Sequence, residues 1–176
     1  MKKINDMKNQ AFVDGQNLYL GTTSCKKSWK VDLYRFREYL RRKYFIDKAY
    51  YFMGSLDDDS EDLYNLIQDA GFILVFRAHS DALISNKKGN VDTDIVFMMM
   101  RNFHECTDVG KFFLISGDGD YYKTVRYLVD KGKFGKVLFP ARKNASSLYR
   151  KIGNAYYDYL DKADLRKKIE LKEDGN

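Results

Sequence analysis

The chain has 176 residues, 44% hydrophobic and 15% aromatic, with 31 Lys and Arg against 25 Asp and Glu for a formal charge of +6. That length and apolar content support one domain with a substantial core and exclude a disordered chain. The basic excess permits a polyanionic partner without requiring one, and the two cysteines, with no CxxC spacing, argue against a zinc cluster or a disulfide framework.

In chain order, the apolar run at 11–13 reads as a short buried strand that ends in Asp14-Gly15, with Asn17 three residues on. Segment 31–44 has helical period, and KAYYFM at 48–53 reads as the second strand. Three aspartates open a helix over 57–70 that stops at Gly71, and FILVFRA at 72–78 is the third strand. The most apolar helix is expected over 91–103, with Asp92 and Asp94 in its first turn. Strands at 111–116 and 136–141 bracket a helix over 121–131 that stops at Gly132. A last helix is expected from 145 to about 160, with Leu148, Ile152, Ala155 and Tyr159 packed on the sheet. Residues 1–160 then form the domain, and 161–176 a charged, solvated helix or tail. MKKINDMKNQ has no apolar signal core and no run approaches the about 20 residues of a membrane helix, so a cytoplasmic protein without membrane contact is expected.

Strands that alternate with helices pair in parallel, because each crossover returns the chain to the same end of the sheet. The expected fold is therefore α/β: a three-layer α/β/α sandwich with a mostly parallel central sheet of about five strands. In such sheets ligands bind outside the carboxyl ends of the strands.

Acidic residues gather at those ends. FVDGQN places Asp14 after the first strand, and FFLISGDGDYY places Asp118 and Asp120 after the fourth, with Gly15, Gly117 and Gly119 expected to let the backbone turn with φ > 0. Asp92 and Asp94, two apart on a helix, point roughly 200° away from each other, so one of them faces a shared site. Each acid alone could be a helix cap or an Asx turn. Several together repel, by about 4 kcal/mol per pair at 4 Å and an effective dielectric of 20, and a divalent cation would offset that. Oxygen ligands without His or Cys suit Mg²⁺ or Mn²⁺, which act on phosphate esters.

AFVDGQNLY, KKGNVDTDIVFMMM and LISGDGDYYKTVRYLVDKGKFGKVLF resemble, in order, the three signature stretches of the NYN domain, the LabA-like branch of the PIN-like nuclease superfamily. The resemblance runs from about Gln10 to about Asn154. It implies a Rossmann-like PIN fold and a metal-dependent ribonuclease that hydrolyses RNA phosphodiester bonds with Mg²⁺ or Mn²⁺. By the same resemblance Asp14, Asp92, Asp118 and Asp120 form the catalytic acidic centre, and Asn17 and Ser116 position its carboxylates or the substrate. KGNVD carries one residue more than the family's usual spacing between Lys88 and the aspartate, so Asp94 stays beside Asp92 as a metal ligand, together with Asp14 and Asp118.

Tyr121 and Tyr122 follow the acidic loop, one to pack and one to touch substrate, and Tyr121 is taken as the substrate-positioning residue. Arg142, Lys143, Arg150 and Lys151 lie in an aromatic-rich basic stretch and are expected to bind the backbone of single-stranded RNA. A homodimer is left open. His79 is expected at the surface or hydrogen-bonded. The main alternative is a non-catalytic RNA- or protein-binding module of the same fold. A haloacid dehalogenase-type phosphatase ranks low, because Asp14-Gly15-Gln16 lacks the second acid of that class's DxD, and no GxGxxG supports a dinucleotide site.

Overall fold

Strand β1 (Lys8–Asp14) begins the described part of the chain: the computed structural model describes residues 8–24, 27–54, 60–77 and 91–172. Ala11, Phe12 and Val13 point alternately to the two faces of the sheet and are all fully buried, as a strand covered on both sides requires. Helix α1 (Gly15–Thr23) follows without a break. Next come α2 (Leu33–Tyr44), β2 (Ile46–Met53), α3 (Glu61–Asp69), β3 (Ile73–Phe76), α4 (Val91–Glu105), β4 (Val109–Ile115), α5 (Tyr122–Asp130) and β5 (Phe134–Phe139). Three short 3-10 turns (Arg142–Asn144, Ser147–Ile152, Asn154–Tyr156) then lead into β6 (Tyr157–Tyr159) and α6 (Ala163–Ile169).

The strands form one sheet of order β3-β2-β1-β4-β5-β6, and every pairing is parallel. On one face Ala11, Val13, Phe36, Leu40, Ile67 and Ile169 form a core beneath α1, α2, α3 and α6. On the other, Phe12, Ile95, Met99, Val125 and Leu128 form a second core beneath α4 and α5. The three-layer α/β/α arrangement expected from the alternation is present, with six strands rather than five.

Helix ends follow local chemistry. Asp32 caps α2 by accepting the Arg35 N–H at 3.0 Å. Gly71 and Gly132, past the ends of α3 and α5, adopt φ of 88° and 65°, values that exclude most side chains.

The helix expected from 145 to about 160 does not form. Gly153 takes a left-handed φ of 93°, which ends any helix begun at Ser147. The aromatic Tyr157 and Tyr159 pair as β6 on the exposed edge of β5 and pack their rings against Phe139. Leu148, expected to pack, is 37% exposed, whereas its neighbour Tyr149 is buried. The charged stretch beyond 160 is not solvated all round, since α6 docks on α2 and buries Leu165 and Ile169. Among the described residues no helix is long and apolar enough to cross a membrane.

Candidate metal centre

Successive strands are added leftward from β1 to β3 and rightward from β4 to β6, so the strand order reverses between β1 and β4. Loops leaving the carboxyl ends of those two strands diverge and open a crevice. Asp14 is the last residue of β1, and Ser116 is the first after β4.

Asp14 is 6% exposed. It caps α1, one carboxylate oxygen accepting the Asn17 N–H at 2.9 Å. The other oxygen receives the Tyr121 hydroxyl at 3.1 Å and the Ser116 hydroxyl at 3.4 Å. Burial, with nearby Asp92 adding to it, raises the Asp14 carboxyl above its ordinary 3.8, although the three hydrogen bonds pull the other way.

A carboxyl whose folded-state value is raised favours folding while protonated, and that contribution is lost as pH rises through the folded value. Asparagine caps as well as aspartate does. Asp14→Asn in chelator should therefore match wild type in stability at acid pH and gain on it as pH rises above 3.8, as measured by urea unfolding across that range.

The Ser116-Gly117-Asp118-Gly119-Asp120 loop is tied down at each step. The Ser116 hydroxyl oxygen accepts the Asp118 N–H at 3.1 Å, and an Asp118 carboxylate oxygen accepts the Asp120 N–H at 3.0 Å. The Asn17 side-chain oxygen accepts the Gly117 N–H at 2.7 Å, which fixes α1 to this loop. The Tyr149 hydroxyl donates to the Asp118 carbonyl at 2.6 Å. Gly15, Gly117 and Gly119 were expected to supply positive φ, but among the described residues the glycines with positive φ are Gly71, Gly132 and Gly153, and the three at the site are not among them. What these three provide is room: a Cβ on Gly117 would stand 2.6 Å from the Asn144 carbonyl oxygen, and one on Gly15 2.7 Å from that of Phe52.

Helix α4 supplies the remaining acids. A buried hydrogen bond of 2.8 Å from the Asn102 amide to the Gln10 side-chain oxygen anchors this helix on β1. Asp92, Asp118 and Asp120 each offer one oxygen, and the three oxygens lie within 4.8 Å of one another. Asp120 is no cap, for α5 starts without a side-chain cap bond. Asp94 lies outside this group of three, and its Oδ2 is buried with no hydrogen-bond partner among the described residues. Asp14 also lies outside it and is joined to Asp92 through Tyr121, whose hydroxyl contacts both carboxylates.

Tyr121, expected to position substrate, is itself fully buried. Its phenol is raised far above the ordinary range by burial first and then by Asp14 and Asp92. Tyr122 is the half-buried neighbour, edge-on to the Tyr149 ring.

The donor set fits a hard divalent cation. Ligand oxygens of an octahedral Mg²⁺ stand about 3 Å apart when adjacent and about 4.2 Å apart when opposite, so three oxygens within 4.8 Å of one another are close to the spacing that one ion requires. Among the described residues no other group of three such ligands occurs.

Arg142, Lys143, Arg150 and Lys151 are all exposed. Arg142 stacks its guanidinium 4.7 Å over Tyr159, and its backbone N–H donates to an Asp161 carboxylate oxygen at 2.8 Å, which holds it beyond the end of β5. Arg150 and Lys151 belong to the 3-10 turn that Tyr149 ties to Asp118. His79 and Lys88 lie outside the described residues. A cavity of about 860 Å³ between α2 and α6, lined in part by Tyr34, Tyr39, Lys43 and Asp158, contains none of the aspartates of the acidic centre. Asn102, Asn144 and Tyr149 were not anticipated as supports, since buried cross-element contacts leave no signal in local spacing.

A wholly parallel α/β sheet with carboxylates converging at its switch point is the architecture that the sequence resemblance implied. The NYN domain family matches residues 10–160, and the chain belongs to that family and thereby to the PIN-like superfamily. A crystal structure of a protein of unknown function from Vibrio parahaemolyticus RIMD 2210633 has the same fold, with a TM-score of 0.73 at 19% identity over 97% of this chain and 100% of that one. No curated protein matches the sequence.

Proposed function

We propose that this NYN domain is a divalent-metal-dependent ribonuclease that hydrolyses phosphodiester bonds of single-stranded RNA. The observation that carries the reading is the convergence of Asp92, Asp118 and Asp120 within 4.8 Å at the strand-order reversal of the sheet. Three carboxylates so close repel one another unless a cation sits between them. Mg²⁺ or Mn²⁺ bound there would supply an activated water and offset charge building on the phosphate.

The chain's own part is to hold and orient. Asp92, Asp118 and Asp120 hold the ion, Asn17 and Ser116 fix the loop that carries two of them, and Asp14 anchors the group from below. Arg142, Lys143, Arg150 and Lys151, exposed in the turns between β5 and β6, contact the RNA backbone in this reading. The domain is a cytoplasmic enzyme in this reading.

Single-stranded RNA incubated with the protein and Mn²⁺ should be cut, and chelator should stop the reaction. RNA that is bound but left intact in every divalent metal would replace the nuclease reading with a non-catalytic binding module. Binding should weaken steeply with salt, and each of the four basic residues converted to Ala should flatten the log–log slope by roughly 0.7. A slope unchanged in the quadruple variant would place the RNA elsewhere.

A further inference from the structure

The Tyr121 hydroxyl touches two carboxylates of the acidic centre at once. It stands 3.1 Å from an oxygen of Asp14 and in still closer contact with one of Asp92. The ring that carries it is fully buried at the start of α5, within the core beneath α4 and α5. Its body is therefore fixed by packing, and only its polar tip reaches the crevice side.

Asp14 and Asp92 come from elements far apart in sequence, the end of β1 and the first turn of α4. Asp92 also belongs to the group that can hold a cation, whereas Asp14 has one oxygen on the α1 N-terminus and the other on Ser116 and Tyr121. Groups that support metal ligands from behind fix ligand direction, and their loss typically weakens metal binding about 10–100-fold.

We propose that Tyr121 is a positioning strut, its hydroxyl coupling the buried Asp14 to Asp92 so that Asp92 is aimed at the cation. The inference rests on the nuclease reading for its functional consequence, and on geometry alone for the coupling. A phenol has a single proton to donate, so one strut serves two acceptors only by holding both close to the same point. The sequence carries this as an aromatic hydroxyl directly after SGDGD; phenylalanine in its place would fill the same volume without the link.

The test compares wild type, Tyr121→Phe and Tyr44→Phe. Tyr44 is a buried tyrosine whose hydroxyl bonds that of Tyr39 at 3.2 Å, away from the acids, so it reports on the loss of a buried hydroxyl as such. Mn²⁺ affinity is measured by calorimetry, melting in chelator by circular dichroism, and RNA cleavage as kcat and KM. Tyr121→Phe should bind Mn²⁺ about 10–100-fold more weakly, keep its KM for RNA, and recover kcat when Mn²⁺ is raised to saturation. Tyr44→Phe should leave Mn²⁺ affinity unchanged. In chelator Tyr121→Phe should lower the melting temperature by roughly 3–12 °C, and by clearly less in an Asp92→Ala background.

Wild-type Mn²⁺ affinity in Tyr121→Phe overturns the strut and leaves the nuclease reading standing. A wild type that binds no Mn²⁺ overturns the nuclease reading instead. The strut is then decided by the melts, where additive losses for Tyr121→Phe and Asp92→Ala overturn it and non-additive losses support it.

Discussion

Asp118→Asn should abolish Mn²⁺-dependent RNA cleavage while leaving the metal-free protein at least as stable as wild type. The change is isosteric, and the asparagine oxygen can still accept the Asp120 N–H that Asp118 holds at 3.0 Å. It also leaves untouched the bond from the Asp118 N–H to Ser116 and the one from Tyr149 to the Asp118 carbonyl, because both involve the backbone. The loop therefore keeps its shape. What disappears is one of the three carboxylates within 4.8 Å of one another. Asp118 is partly exposed and Asp120 exposed, so water and salt screen most of their repulsion, and the stability gained is about 0–1 kcal/mol.

Loss of a cation ligand should cost cleavage more than about 100-fold, the upper figure for losing a group that merely supports one. A residue whose work was to cap a helix or close a turn would behave in the opposite way, with about 1 kcal/mol of stability lost and activity intact. Thermal melting in chelator beside cleavage in Mn²⁺ separates the two. A clearly destabilised Asp118→Asn that still cuts RNA at the wild-type rate would remove the acidic loop from the mechanism.

The architecture was legible because it rests on patterns local in sequence. Apolar runs such as FFLI, fully covered on both faces, and glycines that stop helices at Gly71 and Gly132 announce strands and crossovers directly. Helix α1 was missed because GQNLYLGTT has neither an apolar stripe nor good helix formers throughout; its start is supplied by the Asp14 cap and by burial of Leu18. The segment from 145 to 160 misled because its apolar spacing fits a helix, and the decision for 3-10 turns and β6 is made by the free edge of β5 and the left-handed Gly153. The acids themselves were visible, yet their division of labour was not. Asp14 buried as a cap, Asp92 beside Asp118 and Asp120, and Asp94 set apart follow from how α4 lies on β1, which the Gln10–Asn102 bond governs across 92 positions of sequence. No spacing rule reaches that far.

The same long-range packing makes Gly117→Ala the change with the largest combined effect on fold and activity. The added Cβ would stand 2.6 Å from the Asn144 carbonyl oxygen, 3.2 Å from its carbonyl carbon and 3.5 Å from the Asn17 side-chain oxygen. Backbone cannot rotate away as a flexible side chain does, so either the 142–146 segment or the acidic loop must move. Two bonds lie in the path of that movement, the Gly117 N–H to Asn17 at 2.7 Å and the Ser146 N–H to the Gly117 carbonyl at 3.0 Å. Overpacking of this kind costs about 1–3 kcal/mol, a fall in melting temperature of roughly 2–12 °C for a domain of this size. Asp118 is the next residue, and a displacement of about 1 Å at a reacting centre costs on the order of 100-fold in rate. Gly132→Ala is the matched comparison, since its φ of 65° strains an alanine while nothing lies within 4 Å of the added Cβ. That variant should lose stability and keep full cleavage. Assayed well below both melting temperatures, Gly117→Ala should be the slower enzyme by about two orders of magnitude; equal rates for the two variants would mean that the close approach of Gly117 to Asn144 serves the fold alone.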